Sequence, residues 1–262
     1  MDNNRRNFLK LAGVSAVGVC ALSVADTMRM PKALAAQAEI DIYAKAENAL
    51  TAERWGMVID TRKLDGKICE KITEACHTTH NVPIHKEKRH EMKWIWEAEY
   101  GQVFPDQEDE YLADRLKKLP IPVLCNQCAN PPCVRACPTK ATFKREDGIV
   151  MMDFHRCIGC RFCMAACPYG SRSFNFVDPR PAITHENKQF PTRMKGVVEK
   201  CNFCAELLAV GKQPACVEVS EGALAFGDLE DPASEVRQLL SSNYAIRRKL
   251  GLGTNPSVYY MV

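Results

Sequence analysis

After its first 35 residues the chain has no apolar run approaching the roughly 20 residues a helix needs to cross a bilayer. It has no glycine-rich nucleotide fingerprint and no grouping of acid, base and nucleophile that reads as a catalytic set. It also has almost no net charge. The formal +3 comes from residues 1–35, where Arg5, Arg6, Lys10, Arg29 and Lys32 face only Asp2 and Asp26. Without that segment 30 basic residues balance 30 acidic ones, so there is no electrostatic case for a nucleic-acid partner. The six histidines are scattered: His77 and His80 flank one cysteine region and His155 precedes another, a spacing that predicts neither haem nor zinc ligation. What the chain has in quantity is cysteine, 14 in 262 residues.

The N-terminus reads as an address. Asn4-Arg5-Arg6-Asn7-Phe8-Leu9-Lys10 precedes an uncharged apolar stretch from Leu11 to Ala25, and a polar segment then ends in Ala33-Leu34-Ala35. Charged region, apolar region and small-residue cleavage site come in the order of an export signal. The arginine pair resembles the twin-arginine signal, whose pathway carries proteins already folded. The expectation is therefore cleavage near residue 35, loss of Cys20 with the signal, and residence in the periplasm or, peripherally, on the outer face of the cytoplasmic membrane.

Cysteine spacing decides between metal and disulfide. Cys157, Cys160, Cys163 and Cys167-Pro168 match C-x2-C-x2-C-x3-C-P, in which three thiolates serve one iron–sulfur cube and the fourth serves its neighbour. Cys125, Cys128, Cys133 and Cys137-Pro138 follow the same plan with a longer second gap. By that crosswise rule Cys125, Cys128, Cys133 and Cys167 hold one [4Fe–4S] cluster, and Cys157, Cys160, Cys163 and Cys137 hold the next.

Two further regions depart from the pattern. Cys201, Cys204 and Cys216 are followed by Ser220 in the fourth slot, and Cys76 fills a fourth slot whose first three are Gly66, Cys69 and Ile72. Paired crosswise, Cys201, Cys204, Cys216 and Cys76 form one complete set. Every departure (Gly66, Ile72, Ser220) falls on the other set, which keeps only Cys69. The expectation is three [4Fe–4S] clusters on 12 cysteines, one vacated site, and Cys69 as a buried free thiol. Structural zinc prefers two well-separated pairs, whereas three cysteines crowd into seven residues at Cys157–Cys163. A disulfide network would need Cα separations that such runs cannot supply without strain. Cys69 has no second free thiol beside it for redox chemistry of its own.

With those motifs in hand, the chain resembles the four-cluster ferredoxin-like electron-transfer subunits of membrane respiratory complexes, the NrfC/DmsB/PsrB-like family. Further markers are Gly56-Met57-Val58-Ile59-Asp60, Gly148-Ile149-Val150, Lys200-Cys201-Asn202-Phe203-Cys204, Pro214-Ala215-Cys216-Val217-Glu218 and Gly227-Asp228-Leu229 before Asp231-Pro232. Within it, the missing cluster, the arginine pair and the segment Phe190 to Glu199 are most similar to the branch typified by DsrO, the periplasmic iron–sulfur subunit of the DsrMKJOP complex of sulfate reducers. The resemblance implies a subunit without a substrate site. It would relay electrons between a membrane quinone-handling subunit and haem or iron–sulfur partners in sulfate or sulfite reduction. The other role it implies is service to a periplasmic molybdopterin or nitrite reductase. The implied partners are an NrfD-type integral-membrane subunit (DsrP-like), a multihaem cytochrome c (DsrJ-like) and the other subunits of a Dsr-type complex.

The expected fold class is α+β: two bacterial-ferredoxin-like modules, loop insertions, and a C-terminal helix and tail. The expected divisions are a signal at 1–35, an N-terminal segment with half of the outer module at 36–119, the inner two-cluster module at 120–180, the rest of the outer module at 181–230 and the C-terminal elements at 231–262. Short strands are expected at 141–144, 148–152, 173–176 and 223–226. A helix capped by Ser234 is expected from Glu235 to about Lys249. Trp94, Trp96, Tyr100, Phe104 and Tyr111 either pack over the modules or anchor a partner, and the Pro-rich connector from Arg180 to Gly196 has the same two readings. The extended apolar tail, Gly251 to Val262, is expected to dock on these modules or on a partner.

Overall fold

The computed structural model describes residues 46–262. The export signal, Cys20 and the cleavage site lie outside the described residues. No helix among the described residues is long and apolar enough to cross a membrane.

The first strand, β1 (Trp55–Asp60), is buried at all six positions. An unbroken apolar strand needs cover on both sides, and the chain supplies it from distant segments. Helix α1 (Gly66–Thr79) follows, started by Asp65, whose carboxylate accepts from the Ile68 amide at 2.8 Å. Its inward face carries Cys69, Ile72 and Cys76 at spacings of three and four, a helical stripe aimed at the core. Next, β2 (Ile95–Ala98), α2 (Tyr100–Val103) and α3 (Asp114–Lys118) lead to β3 (Ile121–Leu124), which pairs antiparallel with β2 and delivers the chain to Cys125.

The central cysteine regions sit among very short elements. These are α4 (Pro132–Arg135), the hairpin β4 (Thr142–Lys144) with β5 (Val150–Met152), α5 (Phe162–Ala166), and β6 (Ser173–Phe174) paired with β7 (Val198–Glu199). Helices α6 (Ala205–Leu208) and α7 (Ala215–Glu218) follow the last cysteine pair, and α7 packs on α1. That contact brings the first cysteine region against the fourth across about 140 residues of chain. Mixed helix and strand place the fold in the α+β class.

Strand β8 (Leu224–Asp228) pairs antiparallel with β1, from Trp55 opposite Asp228 to Ile59 opposite Leu224. Gly56 is required at this crossing, because a Cβ there would lie 2.5 Å from the Leu229 side chain. Helix α8 (Glu235–Ser242) is capped by Ser234 as expected, but it ends at Ser242, about two turns short of Lys249. The Asn243 side chain takes the Leu239 carbonyl at 3.0 Å and the backbone turns extended. This frees β9 (Ala245–Ile246) to pair with the tail strand β10 (Val258–Met261).

The tail therefore docks on its own chain. β10 lies parallel to β1, Met57 opposite Val258 and Asp60 opposite Met261, completing a sheet in the order β8-β1-β10-β9. Tyr260 is buried, with its hydroxyl donating to the Pro122 carbonyl at 3.2 Å. Of the interleaved aromatics, Trp94, Tyr100 and Phe104 pack inside and Trp96 is half-buried, while Tyr111 is 86% exposed.

Candidate metal centres

The first Cys-x2-Cys turn of each of three regions, at Cys125, Cys157 and Cys201, shares one backbone device. The residue before the second cysteine has a left-handed conformation in each: Gln127 at φ 43°, Gly159 at 69° and Phe203 at 55°. This turn curls the amides and both thiols toward one point. Such a conformation costs roughly 1–3 kcal/mol for a bulky residue such as Phe203 and persists where the surroundings dictate it. At Gly159 the constraint is also steric, since a Cβ would sit 2.5 Å from the Gly196 carbonyl oxygen. Gly159→Ala is accordingly expected to cost about 1–3 kcal/mol locally. It should speed iron loss to a chelator, whereas Gly66→Ala, with nothing within 4 Å, should not.

Thiols from different regions converge in three groups. Cys125, Cys128, Cys133 and Cys167 line one small cavity together with Val150, Tyr169 and Arg172. Cys137, Cys157, Cys160 and Cys163 line a second with Met152, Ile158 and Val198. Cys76, Cys201, Cys204 and Cys216 form the third group, all buried. Burial, and then the proximity of Cys201, Cys204 and Cys216, pushes the Cys76 thiol well above its ordinary value. Burial likewise pushes Cys201 and Cys216 up to about 12 and Cys204 well upward. Cys128 of the first group is also pushed to about 12 by burial and by Cys125. Cys137, on the rim of the second, differs: burial raises it, but hydrogen bonds from the Thr142 amide and from Thr139 bring it below the ordinary value.

The donor set fits an iron–sulfur cube. All-sulfur sets of four suit zinc or iron–sulfur clusters. Three thiols crowded into seven residues at Cys157–Cys163 suit a cube better than the two well-separated pairs of structural zinc. Buried thiols this reluctant to ionise become thiolates when a cation replaces their protons, so binding and folding are coupled.

The fourth set is closed. Cys69 is fully buried and its thiol donates to the Pro120 carbonyl at 3.3 Å. Burial, with Glu97 and Asp65 nearby, pushes it to about 12, which makes it a poor nucleophile. Ile72 is core, and Ser220 Oγ donates to the Val217 carbonyl while accepting from the Leu224 amide. Gly66 lies exposed in the first turn of α1.

Several charged and polar neighbours were not evident from cysteine spacing. His80 is buried, stacked on Trp94 with ring centroids 4.5 Å apart and edge-on to Phe190. Its Nδ1 contacts the Cys76 carbonyl at 2.8 Å and its Nε2 the Glu206 carboxylate at 2.8 Å. Burial raises the Glu206 carboxyl, but hydrogen bonds from His80 and Asn202 more than offset it, leaving it below the ordinary value. His80, Cys204 and Glu206 offer ligand atoms within 4.8 Å of one another. Both ring nitrogens of His80 are already engaged, so the pair reads as support for the third group and not as a separate ion site. The Pro-rich connector folds inward: Arg193 pairs with Glu199 at 2.7 Å, both fully buried.

A profile of the 4Fe-4S dicluster domain matches residues 117–178, which contain the first two thiol groups complete. The chain is 38% identical to an Hdr-like menaquinol oxidoreductase iron-sulfur subunit 1 of Archaeoglobus fulgidus, over 98% of this chain and 97% of the relative. It is 37% identical to the iron-sulfur cluster-binding subunit of a menaquinone reductase of Nitratidesulfovibrio vulgaris, over 79% of this chain and 88% of the relative. It is 35% identical to an NrfC homologue of Haemophilus influenzae, over 84% of each. The chain belongs to this family of iron–sulfur electron-transfer subunits of oxidoreductase complexes. In this iron–sulfur subunit the thiols outside the dicluster match are Cys76 and Cys201 to Cys216, and the contact of α1 with α7 brings Cys76 toward Cys216.

Proposed function

We propose that this iron–sulfur subunit relays single electrons through three [4Fe–4S] clusters, held by Cys125, Cys128, Cys133 and Cys167; by Cys157, Cys160, Cys163 and Cys137; and by Cys201, Cys204, Cys216 and Cys76. The observation that carries the reading is the meeting of twelve thiols in three groups of four, each drawn from two separated segments. The clusters supply one-electron storage at tuned potentials. The residues exclude water and set the spacing. Cys125 lies near Cys201 of the third group, and Cys133 near Cys163 of the second, so the first group stands between the other two.

The donor or acceptor outside the chain is a quinone-handling integral-membrane subunit of the NrfD type on one side and a multihaem cytochrome c or another iron–sulfur subunit on the other. The two relatives named for menaquinol and menaquinone support the quinone side. A DsrMKJOP-like complex linked to sulfate or sulfite reduction fits the single closed site. In this reading the modules divide as 36–119 with 181–230, and 120–180. The subunit works in the periplasm or on the outer membrane face, loaded with its clusters before twin-arginine export.

Iron and acid-labile sulfide decide it. The purified mature subunit is expected to be brown and to hold about 12 of each per chain, four per cube. It should co-purify from membranes with a quinone-binding integral protein. A colourless chain without sulfide would overturn the relay.

A further inference from the structure

Four basic side chains are buried among the described residues: Arg172, Arg193, Lys200 and Arg248. Taking a cation out of water costs several kcal/mol unless an anion meets it. Arg193 meets Glu199. The other three have no carboxylate at ion-pair distance among the described residues. The only other buried acid among those residues, Asp60, is taken by Arg62.

One lines the first thiol cavity, and the other two each contact a residue that lines it. Arg172 lines it, donating from Nη2 to Cys133 Sγ at 3.1 Å and from Nη1 to Thr142 Oγ1 at 3.0 Å. Lys200 Nζ donates to the carbonyls of Val150 and Cys201, and Val150 lines the same cavity. Arg248 lies over the ring of Tyr169, 5.4 Å from its centroid, and Tyr169 lines that cavity too. One guanidinium nitrogen of Arg248, Nη1, is buried without a hydrogen-bond partner. The other two groups differ. The third shares Lys200, beside Cys201, but sets the carboxylate of Glu206 against it. The second shares Arg172 through Cys163, but keeps Cys137, Cys157 and Cys160 partly open to solvent, which screens charge.

We infer that Arg172, Lys200 and Arg248 are the counter-ions of the centre held by Cys125, Cys128, Cys133 and Cys167, and that they make it the most easily reduced of the three. The inference rests on the three-cluster reading above. Four thiolates make a loaded site anionic, and each added electron makes it more so. Fixed cations in a poorly screened interior favour the more negative state, and hydrogen bonds to the sulfurs act in the same direction. Arg172 does both. As the middle of the three groups, this centre would be the resting place of an electron in the relay.

The test is a redox titration of the iron-loaded mature subunit, followed by electron paramagnetic resonance, with Arg172→Gln, Arg172→Lys and Lys200→Gln. Arg172→Gln is expected to weaken reduction of the highest-potential centre at least tenfold, a fall of about 59 mV for one electron, at unchanged iron content. Arg172→Lys should restore most of it, and Lys200→Gln should lower the same centre by less. Full iron with unmoved midpoints in both Gln variants would overturn the inference. Should Arg172→Gln lose iron, the midpoint in Lys200→Gln decides: a shift supports the cage and none refutes it. A wild-type subunit without sulfide would instead sink the three-cluster reading.

Discussion

Changing Cys76 to alanine is expected to lower the iron content from about 12 to about 8 atoms per chain, while Cys69→Ala leaves it at about 12. Both cysteines point inward from the same face of α1. Their surroundings separate them. Cys76 stands among Cys201, Cys204 and Cys216, in a group that needs four sulfurs. Cys69 faces the Pro120 carbonyl, with Ile72 beside it on the helix stripe and no other thiol in its neighbourhood. Colorimetric iron and sulfide on purified variants make the comparison. Loss of iron from the Cys69 variant, with retention in the Cys76 variant, would reverse the pairing of the first and fourth regions.

Glu199→Ala is expected to destabilise the loaded subunit by about 3–5 kcal/mol, because it strands a buried cation. The carboxylate of Glu199 receives Arg193, the Trp94 indole at 2.8 Å and the Asn175 amide. Arg193 in turn donates to the carbonyls of His80 and Asn81, and so fixes the connector against the segment that follows Cys76. For a chain of this size the loss corresponds to a fall in apparent Tm of about 10 °C. Thermal unfolding followed by the cluster absorbance and by circular dichroism would measure it. The double variant Arg193→Met with Glu199→Met should recover much of the loss, since a buried pair is worth little over well-packed apolar groups. A single-variant cost below about 1 kcal/mol, the level of an exposed pair, would refute the burial assigned to it.

The cysteine groups were readable because each loop is local. A Cys-x2-Cys turn folds over four residues, and the slot counting needs only spacing. The crosswise pairing of Cys76 with Cys201, Cys204 and Cys216 followed from where the substitutions fell, and the structure brings those four together. The short strands near 141–144 and 148–152 and the Ser234 cap were legible for the same reason, since strand-forming runs and a cap serine act on their immediate neighbours. The helix expected to reach Lys249 was read too long, because propensity favours continuation and nothing within residues 243–249 announces a partner. That partner is β10, which claims β9 from outside the segment. The two readings offered for the interleaved aromatics also needed the fold: Trp94 and Phe104 are walls of the core, while Tyr111 stands in solvent.

The sequence alone determined which thiols are spaced to serve a common cluster, because ligand geometry is written in spacings of two to four residues. Tertiary structure alone decided that the tail enters the sheet beside β1, that Cys69 is sealed in the core, and that three buried cations without carboxylate partners lie near the thiol groups. Those outcomes depend on contacts between segments tens to hundreds of residues apart. Burial, which sets the cost of a charge or an unpaired strand edge, has no local signature in the chain.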